Sequence, residues 1–221
     1  MDPIRFRTED DLQLEGELRL PDGAAAASAV LCHPHPRHGG SKDHPLLWAI
    51  RNDLAARGFG VLAFNFRGVM GSEGAYGGGT AEMADVRAAV GVVRERVDGP
   101  TLVCGWSFGA HVALSTALRD ERISALALLG PPLGDAPIQL PRWPGRAELK
   151  AYVRPVLLVA GEADQFCALP ELRALGRKLA RATVRTVADA DHFFWRRERE
   201  TAKIVGDFAE AALLDDQESR V

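Results

Sequence analysis

The sequence predicts an α/β fold in which a mostly parallel β-sheet is covered by helices on both faces. From residue 29 onward, short apolar runs alternate with longer segments of helical periodicity. The apolar runs are continuous, with no regular polar alternation, which is typical of strands buried on both faces of a parallel sheet. A third observation is a serine between two glycines, placed between one apolar run and the next helical segment.

The first twenty residues predict a β-hairpin that adds antiparallel strands at one edge of this sheet. Residues 4–8 and 12–20 are its strands, joined by a Glu-Asp-Asp turn and closed by Pro21-Asp22-Gly23. The later strands are predicted at residues 29–32, 59–66, 101–104, 123–129, 156–160 and 183–187. The helices are predicted at residues 45–57, 81–96, from the glycine-flanked serine to about 119, 170–179 and 199–213.

The chain shows no internal repeat and no linker of disordered composition, so we expect a single domain over residues 1–221. The connection over residues 131–153 contains five prolines and no long amphipathic helix, and we therefore expect no cap domain. The polar tail from residue 215 to 221 is expected to fray.

Composition and charge exclude several classes of function. Hydrophobic residues make up 47% of the chain, enough for a sizeable core, and the net charge of −3 argues against a nucleic-acid partner. No apolar run is long enough to span a membrane, and the charged N-terminus lacks an apolar signal core, so we expect a cytoplasmic protein. Three cysteines without CxxC spacing are expected to be free and mostly buried.

Gly105-Trp106-Ser107-Phe108-Gly109 is the most informative stretch of the chain. It has the pattern G-x-S-x-G, and it follows a predicted strand and precedes a predicted helix, the context of a nucleophile elbow. Such a turn forces the serine into a strained backbone conformation, and the glycines remove the Cβ atoms that would collide there. The pattern predicts a nucleophilic Ser107 standing above the sheet.

A serine hydroxyl needs a general base and an acid that orients the base. In a sheet of this kind, both are expected just beyond later strands, in the chain order Ser, Asp, His. Asp164 follows the strand predicted at 156–160, and we assign it as the acid over its neighbours Glu162, Asp189 and Asp191.

His192 follows the last predicted strand and is assigned as the general base, because no other histidine lies in the C-terminal half of the chain. His111 is the competing candidate. It lies one helical turn after Ser107, where we expect it to pack against neighbouring elements.

The tetrahedral intermediate requires two hydrogen-bond donors for its oxyanion. One is expected to be the backbone N–H of Phe108, and the other must come from the loop at residues 33–40. The prolines that alternate with histidines in this loop have no N–H. We assign the second donor to His35 and keep Arg37 as the alternative.

Three further groups have open assignments. His33, His35, His38 and His44 would suit a zinc hydrolase, but no set of carboxylates completes such a site, and we expect no metal. Arg67 either binds a substrate carboxylate or holds its own loop through hydrogen bonds to carbonyls. The apolar rim of the substrate pocket is predicted at Leu133, Ile138 and Trp143.

Together, these residues resemble the α/β-hydrolase superfamily along essentially the whole chain. The matching stretches are His33-Pro34-His35-Pro36 with Gly39-Gly40, Asn65-Phe66-Arg67-Gly68, the elbow at Ser107, Asp164 and His192. The chain looks most like the small, lidless bacterial branch near dienelactone hydrolases and carboxylesterases. The resemblance implies an eight-stranded sheet and a serine esterase mechanism.

We therefore expect a cofactor-free serine hydrolase that cleaves a small-molecule ester through an acyl-enzyme. A thioesterase and a serine peptidase would use the same three residues, and a thioester is the nearest alternative substrate. The alternative that is not an enzyme is a binding protein that has the hydrolase fold but no catalytic activity. A complete Ser-His-Asp set argues against it.

Overall fold

The structure is a computed structural model of the 221-residue chain and describes residues 2–133 and 140–214. Within these residues, eight strands form one sheet. The strands are β1 (Asp2–Arg7), β2 (Gln13–Arg19), β3 (Ala27–Cys32), β4 (Phe59–Phe64), β5 (Thr101–Trp106), β6 (Ala125–Leu129), β7 (Val156–Gly161) and β8 (Ala182–Val187). The α-helices are α1 (Pro45–Ala56), α2 (Glu82–Arg94), α3 (Phe108–Ala117), α4 (Arg146–Ala151), α5 (Leu169–Gly176) and α6 (Glu198–Leu213).

The sheet has the strand order β1-β2-β4-β3-β5-β6-β7-β8. The hairpin β1–β2 is antiparallel and joins β4 in antiparallel register, whereas all later pairs are parallel. The predicted fold class, with its antiparallel edge, is thus confirmed. That residues 1–221 form a single domain stays a prediction.

Both faces of the sheet are covered, as the continuous apolar strands predict. Ile50 of α1 and Val205 of α6 belong to the core on one face, and Val86 of α2, Val112 of α3 and Leu172 of α5 belong to the core on the other. Adjacent residues of one strand face opposite cores because side chains alternate along a strand. All six residues of the central strand β5 are consequently buried.

The main difference from prediction is α4, a short helix in the proline-rich connection. It spans six residues, too few to show a helical period in the sequence, and the Glu148 carboxylate accepts a hydrogen bond of 2.8 Å from the Gly145 N–H at its start. Ile138 of the predicted rim and the tail at 215–221 lie outside the described residues.

The parallel strands end at a common edge of the sheet. The segments that follow β3, β4, β5, β6, β7 and β8 meet there, which is where open α/β sheets bind ligands. All three cysteines are buried and form no disulfide. Cys32 and Cys104 lie in β3 and β5, and Cys167 lies in the loop after β7. Among the described residues, no helix has both the length and the apolar character needed to cross a bilayer.

Candidate active site

Ser107 lies on a sharp turn between β5 and α3. Its backbone has φ 55° and ψ −115°, and its N–H donates a 2.8 Å hydrogen bond to the Leu129 carbonyl. A Cβ at Gly105 would lie 2.3 Å from the Gly109 carbonyl oxygen, and one at Gly109 would lie 2.3 Å from the Cys32 oxygen. The turn therefore requires glycine on both sides of the serine, and it has the geometry of a nucleophile elbow.

Ser107, His192 and Asp164 form a continuous hydrogen-bonded chain. The Ser107 Oγ lies 2.9 Å from His192 Nε2, and His192 Nδ1 lies 2.9 and 3.0 Å from the two Asp164 carboxylate oxygens. An ionised carboxylate only accepts, so Nδ1 carries the proton and Nε2 presents its lone pair to the serine hydroxyl. All three residues are buried at the strand edge.

The surrounding backbone holds the acid and the histidine in place. Asp164 Oδ1 also accepts hydrogen bonds from the backbone N–H groups of Phe166 and Cys167, at 2.9 and 3.0 Å. The indole N–H of Trp106 donates to the His192 carbonyl at 3.1 Å. Sequence reasoning did not single out Trp106, Phe166 or Cys167, because their roles depend on contacts with distant segments.

The competing acids have other partners. Asp191 Oδ1 accepts from the Phe193 N–H at 2.9 Å and shapes the turn after the histidine. Asp189 forms an exposed ion pair with Arg197 at 3.2 Å. Glu162 points toward solvent. Asp164 is the acid that contacts His192.

His111 is fully buried behind the elbow, and although its backbone N–H donates to the Ser107 carbonyl at 3.2 Å, its ring makes no hydrogen bond to the serine. Its ring lies edge-on to Trp143, with centroids 4.7 Å apart, and neither ring nitrogen has a hydrogen-bond partner among the described residues. Burial lowers the pKa of His111 to about 4, so the ring is neutral at pH 7. His111 packs against its neighbours, as expected.

The two described rim residues both lie within the proline-rich connection. The Leu133 N–H donates to the Phe166 carbonyl at 3.1 Å, and the Phe166 ring lies edge-on to His192 with centroids 4.8 Å apart. The Trp143 indole N–H donates to the Pro132 carbonyl at 3.0 Å. Leu133 is thus linked to the face of His192 through Phe166, whereas Trp143 covers His111.

Two backbone N–H groups near Ser107 have no acceptor among the described residues. They belong to Phe108, the first residue of α3, and to His35 in the loop after β3. The His35 ring lies edge-on to the Phe108 ring, with centroids 5.2 Å apart. The N–H of Arg37, the alternative donor, is already bonded to His35 Nδ1 at 3.1 Å. Of the two candidates for the second donor, only His35 thus has a backbone N–H without an acceptor among the described residues.

The loop after β3 is held by His33, which is fully buried. Its Nε2 accepts the Phe66 N–H at 3.0 Å, so Nδ1 carries the proton and donates to the Pro34 carbonyl at 2.6 Å. Desolvation lowers the pKa of His33 to about 4. Within the described part of the chain, no three His, Cys, Asp or Glu side chains are placed to hold a metal ion.

Comparisons with known proteins identify the family of the chain. A family model described as an alpha/beta hydrolase domain matches residues 27–214, which is most of the chain. The chain belongs to the α/β-hydrolase family. The superfamily resemblance seen in the sequence is thereby confirmed.

Two solved hydrolase structures share both sequence and fold with this chain. A protein of Coxiella burnetii described as an alpha-beta serine hydrolase homologue is 26% identical, with 93% of this chain and 96% of that chain covered and a TM-score of 0.81. A protein of Xanthomonas campestris described as a serine hydrolase without lid is 25% identical, with 96% and 95% covered and a TM-score of 0.79. An uncharacterized protein of Rickettsia prowazekii is 24% identical over 213 residues, which cover 89% of this chain and 84% of that protein.

In this α/β hydrolase, Arg67 has a different role from both of those expected. Its guanidinium is almost fully buried and bonds two carboxylates, Asp85 at 2.7 and 2.9 Å and Asp10 at 2.7 and 3.1 Å. The pairing with Arg67 lowers the pKa of Asp10 to about 2. Arg67 therefore ties the loop after β4 to α2 and to the β1–β2 turn. Among the described residues, its guanidinium bonds these two carboxylates and no loop carbonyl.

Gly130 is a site residue that sequence reasoning missed. It directly follows β6 with φ 46°, and a Cβ there would lie 3.0 Å from both Asp164 Oδ2 and His192 Nδ1. A glycine between an apolar strand and two prolines is the only signal in the sequence. The absence of a side chain at 130 leaves room for the carboxylate–imidazole contact.

We expect Gly130→Ala to lower the free energy of unfolding by about 1–3 kcal/mol, because it adds backbone strain and a steric clash. It should also slow the labelling of Ser107 by a fluorophosphonate at least about tenfold, since the clash displaces His192. Thermal unfolding and the labelling rate are the measurements. Gly58→Ala is the matched control, because Gly58 has φ 85° with nothing within 4 Å of its ideal Cβ. Gly58→Ala should be less stable than wild type but should be labelled at the wild-type rate. Labelling of Gly130→Ala at the wild-type rate would contradict the proposed clash with His192.

Proposed function

We propose that this α/β hydrolase cleaves small carboxylic esters through an acyl-enzyme formed on Ser107, without a cofactor. The observation that supports this most is the hydrogen-bonded chain from Ser107 through His192 to Asp164 at a strained elbow. The similarity to two structures described as serine hydrolases supports the same reading.

In the first half of the proposed reaction, His192 Nε2 removes the proton of the Ser107 hydroxyl while Oγ attacks the ester carbonyl carbon. The carbonyl oxygen becomes an oxyanion and accepts hydrogen bonds from the Phe108 and His35 N–H groups. Asp164 stabilises the imidazolium. Collapse of the intermediate breaks the bond to the alcohol oxygen, which takes the proton from His192 Nε2.

The second half repeats these steps with water as the nucleophile. His192 removes a proton from water, the hydroxide oxygen attacks the acyl carbon, and Ser107 leaves with the proton returned by Nε2. Atoms and charges balance over the cycle: ester and water give acid and alcohol.

We place the acyl group against Leu133, Phe166 and Trp143. These residues come from the short connection after β6 and from the loop after β7, and the helix in that connection, α4, spans only six residues. Such a rim leaves the acyl pocket open and shallow. Thioesters and peptide amides are the alternative substrates, and a panel of matched acyl esters, thioesters and amides discriminates among them.

We expect Ser107→Ala to lose ester hydrolysis by about 10³-fold or more, because the nucleophile is gone, and to keep its fold. Hydrolysis of p-nitrophenyl butyrate and labelling by a fluorophosphonate are the two measurements, and circular dichroism monitors the fold. A folded Ser107→Ala variant with nearly wild-type activity would end the serine-hydrolase proposal. A wild-type chain that resists the probe would favour a binding protein.

We expect Asp164→Asn to lower kcat by about 10³- to 10⁴-fold, because an amide no longer holds His192 in the tautomer that accepts the serine proton. Asp191→Asn is the matched control. Asp191 lies at the same edge of the sheet as Asp164, but in the described part of the chain its oxygens accept hydrogen bonds only from backbone N–H groups. Its kcat should stay within about threefold of wild type. A crippled Asp191→Asn with an active Asp164→Asn would reverse the assignment of the acid.

We expect kcat/KM to be highest for acyl chains of roughly two to six carbons. Each methylene of the acyl chain contributes about 0.8 kcal/mol of binding free energy only where the pocket wall buries it, and the open rim buries few methylenes. Rates on a series of p-nitrophenyl esters, and on emulsified triglyceride, measure this. A maximum near sixteen carbons, or a rate increase at the lipid interface, would contradict the open pocket.

A further inference from the structure

Two exposed aromatic residues follow His192 almost directly. Phe193 is 38% exposed and Trp195 is 53% exposed, whereas Phe194 between them is fully buried. Together with His44, which precedes α1, they form what we call the aromatic shelf (His44, Phe193 and Trp195). Large aromatic groups exposed next to a candidate active site mark a binding surface.

The rings of the shelf are in continuous contact with the His192 ring. Phe193 lies edge-on to His192 with centroids 5.7 Å apart, and Phe193 and Trp195 are stacked at 6.4 Å with an interplanar angle of 29°. The centroids of the Trp195 and His44 rings are 5.6 Å apart. His44 in turn packs on Trp106 at 4.4 Å. The shelf therefore begins at the proposed general base and ends at α1.

The backbone of the shelf is strained. Phe194 has φ 54° and Arg196 has φ 63°, a conformation that bulky side chains rarely adopt. Asp191 fixes the turn, because its carboxylate accepts from the Phe193 N–H and its carbonyl accepts from the Phe194 N–H. This conformation buries Phe194 and leaves both flanking rings exposed. Strain of this kind persists where the surrounding structure enforces it, and it concentrates at functional sites.

The position of the shelf indicates which part of the substrate it meets. In the proposed reaction, His192 Nε2 gives its proton to the departing alcohol, so groups beside the His192 ring border the alcohol portion. Phe166 occupies one side of that ring and is tied to Leu133 of the acyl rim. Phe193 occupies another side and opens onto the shelf. Phe166 therefore borders both portions of the ester, and Phe193 leads from the alcohol portion to the rest of the shelf.

We propose that the aromatic shelf binds the alcohol portion of the ester and that this portion contains an aromatic ring. The inference rests on the proposed ester hydrolysis. Phe193 and Trp195 expose aromatic surface against which a planar aryl group packs well, since aromatic pairs favour offset-stacked or edge-to-face contact. A saturated ring of similar size would gain only the burial of its surface.

The test compares 2-naphthylmethyl butyrate with cyclohexylmethyl butyrate, two esters of primary alcohols with the same acyl group. Wild type should prefer the naphthylmethyl ester in kcat/KM. Trp195→Leu should lower kcat/KM for that ester about three- to tenfold, the size of an aromatic pair contact, and change the cyclohexylmethyl ester less than twofold. Trp195→Phe, which keeps a ring, should retain most of the preference.

Trp48→Leu is the matched control. Trp48 is 55% exposed and lies on α1; its backbone N–H donates to the His44 carbonyl at 3.0 Å, but among the described residues no ring pair joins its indole to the shelf. Its two kcat/KM values should match wild type. An unchanged ratio of the two esters in Trp195→Leu, or equal losses on both, would overturn the shelf as an aryl site.

A binding measurement separates failure of the shelf from failure of the proposed function. Quenching of tryptophan fluorescence by 2-naphthylmethanol should give a Kd for the Ser107→Ala chain that weakens at least threefold when Trp195→Leu is added. This difference in Kd is expected even if the protein hydrolyses no ester, because the measurement reports binding alone. A concentration-dependent dimer that dissociates on Trp195→Leu would instead assign the shelf to a second copy of the chain and overturn the proposal.

Discussion

The close contact between the turn at Ser107 and the end of β3 is the constraint on which the candidate site depends. The Gly109 backbone approaches the Cys32 and His33 carbonyls so closely that a methyl group would lie 2.3 and 2.6 Å from them. This approach places α3 directly against the loop after β3. Ser107 has φ 55° at this turn, and the rings of Phe108 and His35 lie with their centroids 5.2 Å apart. One packing contact thus accompanies the strained backbone of the proposed nucleophile and the close approach of the two segments that carry the proposed oxyanion donors.

Two backbone N–H groups near this contact donate hydrogen bonds to neutral imidazole rings. His33 accepts the Phe66 N–H and His35 accepts the Arg37 N–H, and each acceptor nitrogen would be lost if the ring were protonated. Burial is the main reason that the pKa of each of these two histidines falls to about 4. Desolvation therefore keeps both rings able to accept at neutral pH, and the loop after β3 keeps its shape without a charged group.

Sequence reasoning succeeds where the signal is local and fails where it depends on contacts between distant segments. The strands, most helices and the placement of Asp164 and His192 beyond strand ends follow from short apolar runs and their flanking residues. Gly130 was missed because its constraint comes from Asp164 and His192, which lie far along the chain. Arg67 was misassigned for the same reason, since its partner Asp10 lies 57 residues away.

The proposed substrate surfaces come from the connection after β6 and from the loops after β7 and β8. Where a hydrolase carries a cap domain, the cap can select the substrate, but in the described part of this chain the segments that surround Ser107 are the loops at the strand ends. The loop after β7 supplies both Asp164 and Phe166, and the loop after β8 supplies both His192 and the stacked pair Phe193 and Trp195. In the proposed reaction, each loop therefore contributes one group to the chemistry and one surface to selection. Because the surface and the reactive group share a few rigid residues, a substrate held on the surface is also held at a fixed distance from the reactive atoms.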